Sequence, residues 1–123
     1  MKNEYMSNLK SNSGHGAGHW IKQRISAVII MLFTLSAGIL IYNISKAMYK
    51  AEVIDILKLP QNIIISAVFF LSSLYHAALG VQVIIEDYMS CISLRKITIL
   101  LMQIISITTA VSFMAALIYL MSI

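Results

Sequence analysis

Leu59 to Ile85, LPQNIIISAVFFLSSLYHAALGVQVII, runs for 27 residues without a charge and carries a single histidine, His76. A helix rises ~1.5 Å per residue, so roughly 20 apolar residues cross the hydrocarbon core of a bilayer. This stretch is long enough, with Pro60, Gln61 and Asn62 as its interfacial start. Two more runs behave the same way. Ile25 to Ser45 is uncharged for 21 residues between Arg24 and Lys46, and Ile97 to Ile123 is uncharged to the C-terminus. In lipid a helix satisfies its own backbone hydrogen bonds, so unbroken apolarity counts for more than periodicity. The chain reads as an all-α membrane protein with three transmembrane helices at about 25–45, 61–85 and 97–121. A polar tail, residues 1–24, precedes the 25–123 anchor.

Composition agrees. With 123 residues there is room for one domain; 59% are hydrophobic and 11% charged, and the mean hydropathy is +0.85. A water-soluble chain this small has no interior large enough to hide that much apolar surface. The only cysteine, Cys91, excludes an internal disulfide, a CxxC redox pair and a cysteine-ligated iron–sulfur cluster. It reads as a small side chain near the membrane surface. Nine basic residues give a net charge of +4, but they are spread over tail and loops and form no nucleic-acid patch.

Those charges report topology. Lys2, Lys10, Lys22 and Arg24 in the tail and Arg95 and Lys96 between the second and third spans share one side, six basic residues in all. The other side has three, Lys46, Lys50 and Lys58. The positive-inside rule then predicts an N-terminus in the cytoplasm or mitochondrial matrix and a C-terminus on the opposite side. The first run follows 24 polar residues, is long for a signal-peptide core and has no small-residue cleavage site after it, so it is expected to be retained. Residues 1–18, rich in Asn, Ser and Gly, read as a mobile tail or one draped on a partner, with His15 solvated. Lys46 to Leu59 mixes charged and apolar residues and fits a short interfacial helix. No internal repeat is present.

Function in such a chain is sought among polar residues in or beside the spans. His76 lies about 11 residues from the basic-side end at Asp87, roughly 16 Å at ~1.5 Å per residue and so near mid-bilayer. Its imidazole needs partners, either a neighbouring helix or a haem iron. At ~100° per residue His76, Gly80, Val83 and Asp87 form one stripe. Gly80 there suits either a flat macrocycle or helix packing.

Asp87 sits at a helix C-terminus, where the dipole disfavours an acid, so a local partner such as Arg24 or Arg95 is expected. Tyr88 is either an aromatic-belt residue or a phenol facing a quinone. The cluster His19-Trp20-Ile21-Lys22-Gln23-Arg24 is either a membrane anchor or the source of a cation, Arg24, for a propionate or quinol oxyanion. Gln82, Gln103, Ser106, Thr108, Thr109 and Ser112 read as interhelical hydrogen-bonding residues.

Gly18-His19-Trp20, Gln23-Arg24 and Ser26-Ala27 at the first span, with His76-Ala77-Ala78-Leu79-Gly80-Val81-Gln82 and Glu86-Asp87-Tyr88 at the second, resemble the succinate dehydrogenase (complex II) hydrophobic membrane anchor subunit, D-type. The likeness covers residues 16–96, and the third span matches only in being apolar. The C-type anchor differs in its Ser-x-x-x-Arg-x-Ser-Gly stretch and its Arg-His pair, neither of which occurs here. Ile21-Lys22 and Ser90-Cys91 depart from the D-type pattern at surface positions.

The resemblance implies a membrane anchor of succinate:ubiquinone oxidoreductase in the bacterial inner (cytoplasmic) membrane rather than the mitochondrial one. It implies His76 as an axial ligand to haem b, whose other ligand comes from a cytochrome b556 (C-type) anchor subunit. Tyr88 and Asp87 would bind ubiquinone, and Arg24 would supply charge near the haem propionates and quinone pocket. Flavoprotein and iron–sulfur subunits are the implied soluble partners. This chain has no dinucleotide-binding glycine motif and no cluster cysteines, so by itself it is expected to have no catalytic activity. Two other readings stand: the anchor of a quinol:fumarate reductase, and a small membrane scaffold without redox chemistry.

Overall fold

The computed structural model describes residues 2–123, with side chains from Gly18 onward. Four helices follow one another: α1 (Lys2–Lys46), α2 (Lys50–Lys58), α3 (Pro60–Tyr88) and α4 (Ile92–Ser122). No strand occurs among the described residues. Three segments are long and apolar enough to cross a membrane: Gly18–Lys46, Pro60–Tyr88 and Ile92–Ser122. The all-α, three-span architecture is therefore observed, with a short fourth helix in the segment where an interfacial one was expected. The readings of residues 1–18 and of His15 fall outside the residues whose side chains are described.

The helices form an open layer. α3 lies in the middle, with α1 on one side and α4 on the other; among the described residues α1 and α4 do not meet, and α2 meets all three. Such a layer buries little. Among the described residues, Ala37, Leu40, Leu79, Ile85 and Leu117 are the buried apolar side chains, together with the polar Ser26 and Asn62. Lipid tails solvate leucine as well as another leucine does, so no hydrophobic force closes the layer. The exposed Ile, Leu and Met side chains along α1 and α4 are suited to lipid or to further subunits.

The α1–α2–α3 joint is set locally. The Met48 N–H donates to the Glu52 carboxylate at 2.8 Å, capturing an amide at the start of α2. Leu59 precedes a proline and takes an extended ψ of 127°, which ends α2; Pro60 then occupies the first turn of α3. Asn62 Nδ2 donates to the Ile56 carbonyl at 2.7 Å and ties the two helices together across the bend. At the other end, extended Met89 stops α3 while its N–H closes on Ile85 O at 3.0 Å. Cys91, free and exposed, stands at the N-cap of α4.

α3 and α4 meet through a stacked pair, Phe70 and Phe113, with ring centroids 4.0 Å apart. The hydroxyls of α4 do not reach across. Thr98, Thr108 and Thr109 each donate to the carbonyl four residues earlier in their own helix, and Gln82 donates to Glu86 within α3. The interhelical role expected for Thr108, Thr109 and Gln82 is thus corrected: each threonine finds its nearest acceptor one turn back on its own backbone, and Gln82 finds the Glu86 carboxylate one turn ahead.

Candidate functional site

The stripe on α3 follows from helical spacing, since residues four apart lie one above the other. Its first two members are turned toward α1. His76 Nδ1 is 3.0 Å from Ser26 Oγ. One turn further, the atom nearest to Gly80 is Gln23 Nε2, 3.9 Å from where a β-carbon would stand. Increasing residue number on one helix meets decreasing number on the other, so α1 and α3 run antiparallel here. His19, Gln23 and Ser26 recur at helical spacing on α1. His19 is half-buried, and its Nε2 is enclosed without a hydrogen-bond partner among the described residues.

Ser26 is the best-shielded polar residue of the seam, at 4% exposure. Its hydroxyl also lies 2.9 Å from the Gln23 carbonyl, to which it donates. His76 is half-buried. One of its ring nitrogens is engaged by Ser26, and Nε2 makes no hydrogen bond among the described residues.

The other sequence-derived candidates are not gathered around His76. Arg24 is exposed, with its guanidinium 5.0 Å from the Trp20 ring centroid in a cation–π contact. It lies two residues before Ser26, roughly 200° round the helix, so it faces away from the seam. Asp87 and Tyr88 end α3 and are exposed, Tyr88 by 85%. Among the described residues Asp87 has no ion-pair partner. The local partner expected for it is not Arg24, which is stacked on Trp20 instead. Tyr88 and Asp87 therefore present their polar atoms outward from the end of the layer.

Two cavities flank the α1–α3 contact. One of about 320 Å³ is bordered by Lys22, Ile25, Ser26, Ile29, Ser72 and Tyr75. It shares Ser26 with the seam. A larger one, about 560 Å³, lies at the far end near α2 and includes Asn43, Lys46, Gln61 and Asn62. No group of three or more His, Cys, Asp or Glu able to hold a metal ion exists among the described residues. A metal at His76 would need a ligand from elsewhere.

Residues 4–117 match the succinate dehydrogenase/fumarate reductase transmembrane subunit family. The chain belongs to this family. Among its curated relatives, the succinate dehydrogenase hydrophobic membrane anchor subunit of Rickettsia bellii is 40% identical over 105 residues, covering 85% of this chain and 82% of the relative. The proteins of that name from Rickettsia typhi and Rickettsia prowazekii are 37% and 38% identical. They cover 92% and 89% of this chain, and 90% and 86% of their own lengths. No solved structure matches the chain. The anchor family and the three spans agree with the resemblance read from Gly18-His19-Trp20 and His76 to Tyr88, and they make this a multi-pass membrane protein.

Within the family frame, sequence reasoning passed over one seam residue. Ser26 belonged to the recognised Arg24-Ile25-Ser26-Ala27 stretch but had no role assigned. Its signal was available: it lies seven residues, nearly two full turns, after His19, and so falls on the same helix face.

Proposed function

We propose that the chain is the membrane anchor of a succinate:ubiquinone oxidoreductase in a bacterial inner membrane, with its N-terminus in the cytoplasm. It docks the flavoprotein and iron–sulfur subunits beside a cytochrome b556-type anchor. The observation that carries this reading is His76: an imidazole deep in an apolar span, steadied through Nδ1 by a shielded hydroxyl 3.0 Å away. The relatives, succinate dehydrogenase anchor subunits, favour succinate oxidation over fumarate reduction.

The donor chemistry fits haem b. A neutral imidazole is a standard axial ligand to haem iron, and metal-bound histidines hydrogen-bond through their other nitrogen. The family resemblance gives the second ligand to the partner anchor, so the haem would be shared between the two chains. When bound, the haem supplies a one-electron carrier inside the membrane. His76 would hold it and α1 would orient His76. Arg24, outside the seam, would face the partner subunits, where a fixed cation suits propionates or a quinone oxygen.

Tyr88 and Asp87 stand at the membrane surface, where a lipid-soluble quinone and water-borne protons can both arrive. The phenol would donate a hydrogen bond to a quinone carbonyl, and the carboxylate would order water beside it. Their high exposure in the single chain is what a pocket completed by other subunits requires. The test is purification in mild detergent from a host expressing the neighbouring subunits. A flavoprotein, an iron–sulfur protein and a second three-span chain are expected to co-purify. Recovery of this chain alone under conditions that keep membrane complexes intact would overturn the reading.

A further inference from the structure

The Ser26 hydroxyl has two close neighbours: the Gln23 carbonyl at 2.9 Å and His76 Nδ1 at 3.0 Å. A serine hydroxyl carries one proton, and a carbonyl can only accept. If the proton pointed at Nδ1, the two oxygens would face each other at 2.9 Å with nothing between their lone pairs. That arrangement is repulsive. Placing the proton toward Gln23 removes the conflict and leaves a lone pair of Oγ facing Nδ1, which must then carry its own hydrogen and donate it.

We infer that Ser26 is a positioning residue that holds His76 as the Nδ1–H tautomer, so that the lone pair resides on Nε2. Either tautomer is open to a histidine in water, and an imidazole with Nε2–H has no lone pair there to offer a metal. Ser26 selects between them where neighbouring side chains keep water away: it is 4% exposed. The carbonyl of Gln23 closes the chain Nδ1–H···Oγ–H···O=C and fixes the direction of both bonds. This goes beyond the proposed function and rests on it only where the lone pair is said to serve a haem iron.

A hydroxyl is a weaker acceptor than a carboxylate, so this device orients the ring without drawing its proton far toward the acceptor. Partners of this kind change metal affinity by ~10–100-fold when removed. Threonine keeps the hydroxyl, and alanine loses both bonds.

The experiment uses the whole complex, ¹⁵N-labelled at histidine, prepared with and without haem synthesis in the host. In the haem-free wild type, His76 is expected to show Nδ1 protonated and Nε2 bare. Ser26→Thr should keep that pattern, and Ser26→Ala should gain an Nε2–H population. In the haem-loaded complexes Ser26→Ala is expected to release haem on dilution roughly tenfold more readily, with Ser26→Thr close to wild type. A wild-type spectrum with Nε2–H would overturn the inference without any variant being needed. So would a Ser26→Ala spectrum identical to wild type.

Failure of the ligand reading is separable. His76→Ala with an undiminished b-type haem spectrum would remove haem ligation and leave the tautomer result standing.

Discussion

The two seams of α3 are built from opposite materials. Toward α1 it presents His76 and Gly80 to Ser26 and Gln23, with a side-chain hydrogen bond across the gap. Toward α4 it offers the Phe70–Phe113 stack, while the α4 threonines turn back onto their own backbone. One helix therefore carries a chemical face and a packing face. In a bilayer the distinction is sharp, because a polar contact between helices has no water as alternative partner, whereas an apolar contact competes with lipid on nearly equal terms. The α1–α3 seam specifies one rotation of each helix, and the α3–α4 seam specifies mainly proximity.

His76→Ala is the largest available break in that contrast. It should abolish the b-type signal in reduced-minus-oxidised absorption of membranes expressing the whole complex; a full-sized signal would reduce the polar seam to packing. Tyr88→Phe comes next. Loss of one phenolic hydrogen bond, about 1.4 kcal/mol, is expected to lower succinate–quinone turnover roughly tenfold. Succinate oxidation by an artificial dye should be nearly unchanged, and equal loss of both activities would mean an assembly role instead. Phe113→Ala probes the other face. It should cost about 1 kcal/mol of thermal stability in detergent, in line with a stacked aromatic pair, and leave the haem spectrum as it was. A shifted spectrum would show that the apolar seam also reaches the site.

Part of the site was legible before any coordinates. His76 stood out because an ionisable side chain in an uncharged run of 27 residues is costly unless it has work to do. The stripe to Gly80 followed from helical spacing, and the end-of-span position of Asp87 and Tyr88 from charge counting. The expectation that Arg24 or Arg95 would neutralise Asp87 was weaker, because proximity along a membrane surface does not say which way a side chain turns. Arg24 found the Trp20 ring on its own helix, one turn back. Thr108 and Thr109 of the third span were misjudged for a related reason. Sequence shows that a threonine needs an acceptor, but not that its own i−4 carbonyl is already within 2.8 Å.

What the sequence determined by itself is the set of three spans, since a helix in lipid needs only length and apolarity to satisfy its backbone. It also marked the histidine that such a span would not carry idly. Only the tertiary structure decided which side chain meets that histidine. Helical spacing puts His19, Gln23 and Ser26 on one face of α1, but it does not say which residues of α3 that face meets. Packing of the two helices brought Ser26 to His76 and turned Arg24 away. A contact that depends on helix rotation and register becomes determined only once both helices are in place.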